Sequence, residues 1–222
     1  MRIVEPWIKV EKFDGKQIMR RIERACRTCY RSEDKITDES YKNLLKNCIN
    51  RGHESVLEHE KITVRIYNDI GSYKDLTRHR FASFSVESTR YCSYDKDKYG
   101  NEIAFMNPVY MEDKEMYEVW KKTMQEIENG YIKMKELGAT TDMCRNLLPH
   151  STAAEYTMTA NIREWKHIFN LRANNHVHPA IRQVMIPLLK YFKEQMPEIF
   201  DEIPYDENFN PDYYAKLSVE EF

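Results

Sequence analysis

Glycine is scarce, six in 222 residues, and none of the six falls in the spacing of a dinucleotide fingerprint or a P-loop. A bound nucleotide would therefore have to be held by side chains rather than by a glycine-rich backbone cradle. No stretch approaches the roughly 20 apolar residues that span a bilayer, and the N-terminus lacks the apolar core of a secretory signal. The expectation is a soluble, cytoplasmic protein. Five cysteines are an odd number, which argues against a disulfide framework and for a reducing compartment. An excess of positive charge is also missing, with 34 Lys and Arg against 36 Asp and Glu, which disfavours a nucleic-acid polymer as partner. No glycine- or proline-rich linker divides the chain, so residues 1–222 read as one domain with a polar, aromatic-spotted tail at 201–222. A hydrophobic content of 41% is enough to bury a core.

The periodicities that are present predict a mixed α+β architecture. Residues 15–30 read as an amphipathic helix, with Ile18, Ile22, Cys26 and Cys29 at helical intervals. The Cys26 and Cys29 spacing suits a metal or redox motif, but no second pair completes a zinc site, so both thiols are expected to face the core. A second helix begins near Thr37, turns Leu44, Leu45, Cys48 and Ile49 inward, and stops at Gly52. Residues 61–67 alternate Ile62, Val64 and Ile66 with polar side chains, the pattern of a half-buried strand. Helix is expected again over 69–80. The longest helix spans 112–137, with Met116, Trp120, Met124, Ile127, Tyr131 and Met134 on one side and Gly138 as its stop.

A short helix ends at Pro149, and 152–160 reads as a second strand. Asn161 followed by Glu164 has the form of a helix-opening box. The helix it opens lines up Arg172 with Trp165, Ile168 and Phe169, so that guanidinium needs a polar or anionic partner. Pro179 opens a final helix that Pro187 should kink or break.

Between Arg78 and Arg90 the chain reads RHRFASFSVESTR, three guanidiniums and four hydroxyls in thirteen residues. Guanidinium offers paired, rigid donors that match phosphate oxygens, and hydroxyls fill the remaining acceptor sites. Such a cluster suits a small phosphorylated ligand, with Arg145, Arg163 and Arg172 as further donors. Two other chemistries compete. His53, Glu54, Glu58 and His59, with His176 and His178, invite a metal-dependent hydrolase, although Leu57 stands where a zincin has its second histidine. Ser88 invites a nucleophile, although nothing around it forms the glycine-flanked elbow of a hydrolase. A nucleic-acid module using the 78–90 cluster is the third alternative.

Three segments in order resemble the flavin-dependent thymidylate synthases, the ThyX family. His53-Glu54-Ser55 with Glu58-His59 is similar to its histidine and serine corner. Arg78-His79-Arg80 with Ser88 and Arg90 resembles its defining motif. Arg145, Leu148-Pro149, Asn161, Arg163, Leu171-Arg172, His176 and Arg182 complete the match.

The resemblance implies a ThyX-like fold, a mixed sheet with a helical bundle, assembled as a homotetramer whose sites are shared between subunits. It implies methylation of dUMP to dTMP with 5,10-methylenetetrahydrofolate as carbon donor, FAD as hydride carrier and NADPH as reductant. Ser55, Arg78, His79, Arg80, Glu87, Asn161, Arg163 and His167 would contact FAD. Asp75, Arg78, Ser85, Val86, Glu87, Ser88, Thr89, Arg90, Arg145 and Arg172 would hold the nucleotide, with the 85–89 turn coming from a neighbouring subunit and His53 bordering the flavin and folate. Arg172 is the implied catalytic residue, favouring ionisation at the pyrimidine N3, and no metal is implied. Asp75 replaces the family's more frequent Gln or Glu, and Glu87 sits one position later than the acid of other members.

Overall fold

A computed structural model describes residues 1–92, 94 and 102–222. At its centre lies β3 (Lys61–Asp69), where Ile62, Val64 and Ile66 point into the core as the alternation predicts. It pairs antiparallel with β6 (Ala153–Asn161) on one side and with β2 (Trp7–Glu11) on the other. The sheet ends in β4 (Ala82–Val86), antiparallel to β6, and in β7 (Lys216–Glu220), parallel to β2. The result is a mixed five-stranded sheet.

One hydrophobic cluster joins this sheet to α1 (Gly15–Thr28), α2 (Ser40–Asn50), α6 (Ile162–Arg172) and α7 (Pro179–Gln195). Ile18, Ile22, Leu45, Trp165, Phe169, Leu188 and Phe192 interlock there with Val10, Val64 and Met158. A second cluster forms where α4 (Lys114–Glu136) lays Met124 and Tyr131 against Phe105, and the short α5 (Thr141–Cys144) adds Cys144 to it. Phe105 belongs to β5 (Ala104–Met106), which pairs in parallel with β1 (Arg2–Val4). Among the described residues no helix is long and apolar enough to cross a membrane.

Several expectations need correction. Only Cys26 of the Cys26 and Cys29 pair is buried; α1 stops at Thr28, and Cys29 is its exposed C-cap. The buried partner of Cys26 is Cys48 on α2, with the two Sγ atoms 3.2 Å apart. Burial, and then that hydrogen bond, push the Cys26 thiol up to about 12, which keeps it protonated. The helix expected over 69–80 is shorter, α3 (Ile70–Leu76), capped by Asp69, whose Oδ1 accepts from Ser72 N at 2.6 Å. Met116 is exposed, because the stripe on α4 is longer than the cluster beneath it.

Pro187 does not break its helix; α7 runs from Pro179 to Gln195. Proline cannot donate to the carbonyl four residues earlier. That carbonyl, on Gln183, instead accepts from Ala215 N at 2.8 Å, while Gln183 Nε2 donates to Tyr213 O at 2.9 Å. The gap in the helix ladder is therefore what ties down the segment before β7.

Gly52 and Gly138 close α2 and α4 with φ of 72° and 88°, as expected of helix-terminating glycines. Gly15 is required for a different reason: a Cβ there would lie 2.2 Å from Gln195 O, a backbone atom at the end of α7. Gly15→Ala is expected to destabilise the protein by about 1–3 kcal/mol by forcing α1 away from α7. Urea unfolding measures this, and an unchanged midpoint would show that the helix ends separate freely.

Candidate active site

Three short segments converge at the end of the sheet where β6 passes into α6. Asn161 closes β6 and caps α6, its Oδ1 accepting from Glu164 N at 2.8 Å, so the predicted box forms on its asparagine side. After α3 the chain makes a tight turn: His79 N donates to Leu76 O at 3.0 Å and Ala82 N donates to His79 O at 3.2 Å. That turn buries His79 and leaves Arg78 and Arg80 exposed. A 3-10 segment, Glu54–His59, supplies the remaining wall.

These segments enclose a cavity of 890 Å³, within the size range of small-molecule and cofactor sites, about 300–1,000 Å³. Arg163 Nη1 meets Glu58 Oε1 at 2.5 Å, and Lys166 pairs with Glu54. Arg78 and Arg80 line the same cavity and have no hydrogen bond or ion pair among the described residues. The innermost group is His79. Its Nδ1 lies 3.3 Å from Glu164 Oε1, and its Nε2 accepts from Arg172 Nε at 3.0 Å. Arg172 Nη2 also donates to Asp75 O at 2.8 Å, so the polar partners that the sequence demands for Arg172 are a neutral imidazole and a backbone carbonyl.

Burial, then the charge of Arg172, then His167 hold His79 down to about 4, so the ring is neutral at pH 7. Burial pushes the Glu164 carboxyl up. His79, Glu164 and His167 have ligand atoms within 4.8 Å of one another, the one such group of three among the described residues. The Nε2 lone pair is already committed to Arg172, so His79 cannot offer that atom to a metal.

The cavity brings together Arg78, His79, Arg80, Asn161, Arg163, His167 and Arg172 of the residues expected at a site. Asp75 joins through its carbonyl. His53 and Ser55 are exposed and do not line it; their segment contributes Glu54 and Glu58 instead. Ser85 and Val86 are not in a turn: they belong to β4, whose pairing with β6 extends them, and the turn follows from Ser88. Glu87 N donates to Glu155 O at 2.9 Å, and the turn closes where Cys92 N donates to Ser88 O at 2.9 Å.

Arg90 and Arg145 sit apart from the cavity, both facing Asp142 Oδ1, at 3.0 and 3.8 Å. Thr89, half-buried in the same turn, is also outside it. The four histidines of the hydrolase alternative do not assemble: His178 caps α7 by accepting from Ala180 N at 3.3 Å, and neither it nor His53, His59 or His176 joins a potential metal group among the described residues. Glu164, Lys166 and Asn170 line the cavity without having been singled out as site residues. Their helical spacing from Arg163 and His167 was the available signal.

A mixed sheet with a cation-rich cavity at its α6 end defines a protein suited to a multiply charged ligand. The family described as thymidylate synthase complementing protein matches residues 14–198, and the chain belongs to it. It is 33% identical over 162 residues to the flavin-dependent thymidylate synthase of Pyrococcus abyssi, covering 72% of this chain and 65% of that one. The flavin-dependent thymidylate synthase of Thermosipho melanesiensis is 30% identical over 176 residues, covering 74% and 77%. The chain thus spans just under two thirds of the Pyrococcus protein. Among solved structures, the UMP/dUMP methylase PolB from Streptomyces cacaoi bound with 5-Br dUMP superposes with a TM-score of 0.75 at 19% identity, over 90% of this chain and 96% of that one, and so shares the fold.

Proposed function

We propose that this chain methylates dUMP to dTMP, taking the one-carbon unit from 5,10-methylenetetrahydrofolate, with FAD as hydride carrier and NADPH as reductant. The observation that carries this reading is the Arg172 guanidinium at the wall of a cavity lined by Arg78 and Arg80, in a chain of this family. Two arginines without acidic partners among the described residues suit the diphosphate of a dinucleotide, and the cavity volume suits its size, so the residues fit FAD. Arg78, Arg80 and Arg163 would hold it, with His79, Asn161 and His167 beside it and Ser55 and Glu87 as outer contacts. FAD, when bound, supplies the hydride that completes the methyl group.

Arg172 is the residue we assign to catalysis. Its fork, placed at N3 and O2 of the pyrimidine, stabilises negative charge spreading into the ring and makes C5 the nucleophilic carbon without an enzyme thiol. Asp75, Arg78 and Arg172 form one part of the nucleotide site; Ser85, Val86, Ser88, Thr89, Arg90 and Arg145 form another that a neighbouring subunit would present, with His53 at the folate side. The separation of the Arg90 and Arg145 pair from the cavity supports a site shared between chains, as in the homotetramer we propose.

The purified protein should be yellow, release FAD on denaturation and sediment as a tetramer. FAD at 100 times its Kd should stabilise it by about 2.7 kcal/mol, read as a rise in Tm. A colourless monomer indifferent to FAD would overturn the proposal. Ser88→Ala is expected to weaken dUMP binding by about 1–3 kcal/mol while turnover remains measurable, because the hydroxyl serves only as a hydrogen-bonding group. A nucleotide trapped as an ester on Ser88 would show otherwise.

A further inference from the structure

Each nitrogen of His79 has one polar neighbour, and the neighbours dictate where its proton sits. Arg172 Nε can only donate, so Nε2, 3.0 Å away, must carry the lone pair and Nδ1 the proton. Glu164 Oε1 lies 3.3 Å from Nδ1, a charge contact that favours the proton on that nitrogen. Glu164 is buried in the first turn of α6, where its backbone N–H serves the Asn161 cap and its carboxylate is left for His79. A buried carboxylate is costly unless paired, and the His79 ring, 3.3 Å away, is the side chain paired with it by charge among the described residues.

We propose that Glu164 is a positioning residue which, by fixing His79 in the Nδ1–H tautomer, holds the Arg172 fork in place for the pyrimidine. This role rests on the dUMP reading of the site. Without the carboxylate, the ring is free to carry its proton on Nε2. In that tautomer Nε2–H and Arg172 Nε–H are two donors facing each other, and the guanidinium is driven from His79 while, among the described residues, its bond to Asp75 O is left to restrain it. The order Glu164, His79, Arg172 crosses from α6 to the turn after α3 and back to α6, so it locks the two walls of the cavity to each other as well as the fork.

The test reads the tautomer directly. Protein labelled with ¹⁵N-histidine gives long-range proton–nitrogen spectra in which His79 is identified by its disappearance in His79→Gln. Wild-type protein should show a protonated Nδ1 and an unprotonated Nε2. Glu164→Leu should show the Nε2–H form or a mixture, and Glu164→Gln, which keeps an acceptor oxygen, should lie nearer wild type. In turnover, kcat for dTMP formation should fall about 10- to 100-fold in Glu164→Leu, as when the outer partner of a functional imidazole is removed, with flavin content retained, and should fall less in Glu164→Gln. A wild-type Nε2–H tautomer would overturn the proposal, as would a Glu164→Leu protein with wild-type tautomer and kcat. Should the leucine variant not fold, the wild-type spectrum and Glu164→Gln decide. Wild-type protein that fails to turn over dUMP would overturn the proposed function, while the nitrogen spectrum would still decide the tautomer.

Discussion

Arg172→Lys should retain flavin yet lose thymidylate formation by about 100-fold or more, the scale seen when a donor aimed at developing negative charge is removed. Lysine keeps the positive charge but not the planar fork. The native guanidinium reaches His79 Nε2 through Nε and Asp75 O through Nη2, at 3.0 and 2.8 Å, and an ammonium cannot make both contacts in that geometry. NADPH-driven flavin reduction and dUMP-dependent reoxidation in the presence of methylenetetrahydrofolate should be followed separately, because only the second depends on the pyrimidine. Cys92→Ala is the companion experiment. Cys92 does not line the cavity, and its backbone closes the turn on Ser88, so this variant should make product. An active Arg172→Lys beside a dead Cys92→Ala would replace this chemistry with thiol-based covalent catalysis.

Acid should destabilise the protein through His79 before the carboxylates titrate. Its folded pKa of about 4 lies below the ordinary histidine value, chiefly because of burial and then Arg172 and His167. The folded state therefore binds fewer protons than the unfolded chain between about pH 6.5 and 4. The stability contributed is fully present above pH 6.5 and is lost as pH falls through that window. The total is about 3 kcal/mol, of which about 2 is gone by pH 5. Glu164, facing Nδ1, acts with the opposite sign: its carboxyl is raised by burial, so its ionisation opposes folding and protonation relieves that at lower pH. The His79 contribution is read over pH 6.5 to 5, by difference from a variant without the imidazole. Unfolding free energies measured across that range should fall more steeply for wild type than for His79→Gln. Parallel slopes would mean that His79 is not held neutral by the fold.

Where the periodicity was strong and the packing one-sided, the residues alone determined the local structure: the alternation of Ile62, Val64 and Ile66 made β3, the Asn161 cap set the start of α6, and Gly52 and Gly138 ended their helices. Two arginines of the 78–90 cluster, Arg78 and Arg80, line the cavity, whereas Arg90 does not, and the order of motifs pointed to the family. The short strands β1, β5 and β7 carried no such signal, since each draws its stability from a partner distant in the chain; β7 pairs with β2 across more than 200 residues. Cys29 and Met116 show the same limit from the other side, for helical spacing says which residues share a face but not how far the neighbour beneath extends. Pro187 read as a break because the sequence could not reveal that Ala215 would take the orphaned carbonyl of Gln183. The site divides in the same way: residue chemistry selected Arg78, His79, Arg163 and Arg172, whereas only tertiary packing brought Glu164 to His79 and His79 to Arg172. A tautomer is decided by partners in space, and two of these three residues lie more than 80 positions from the third.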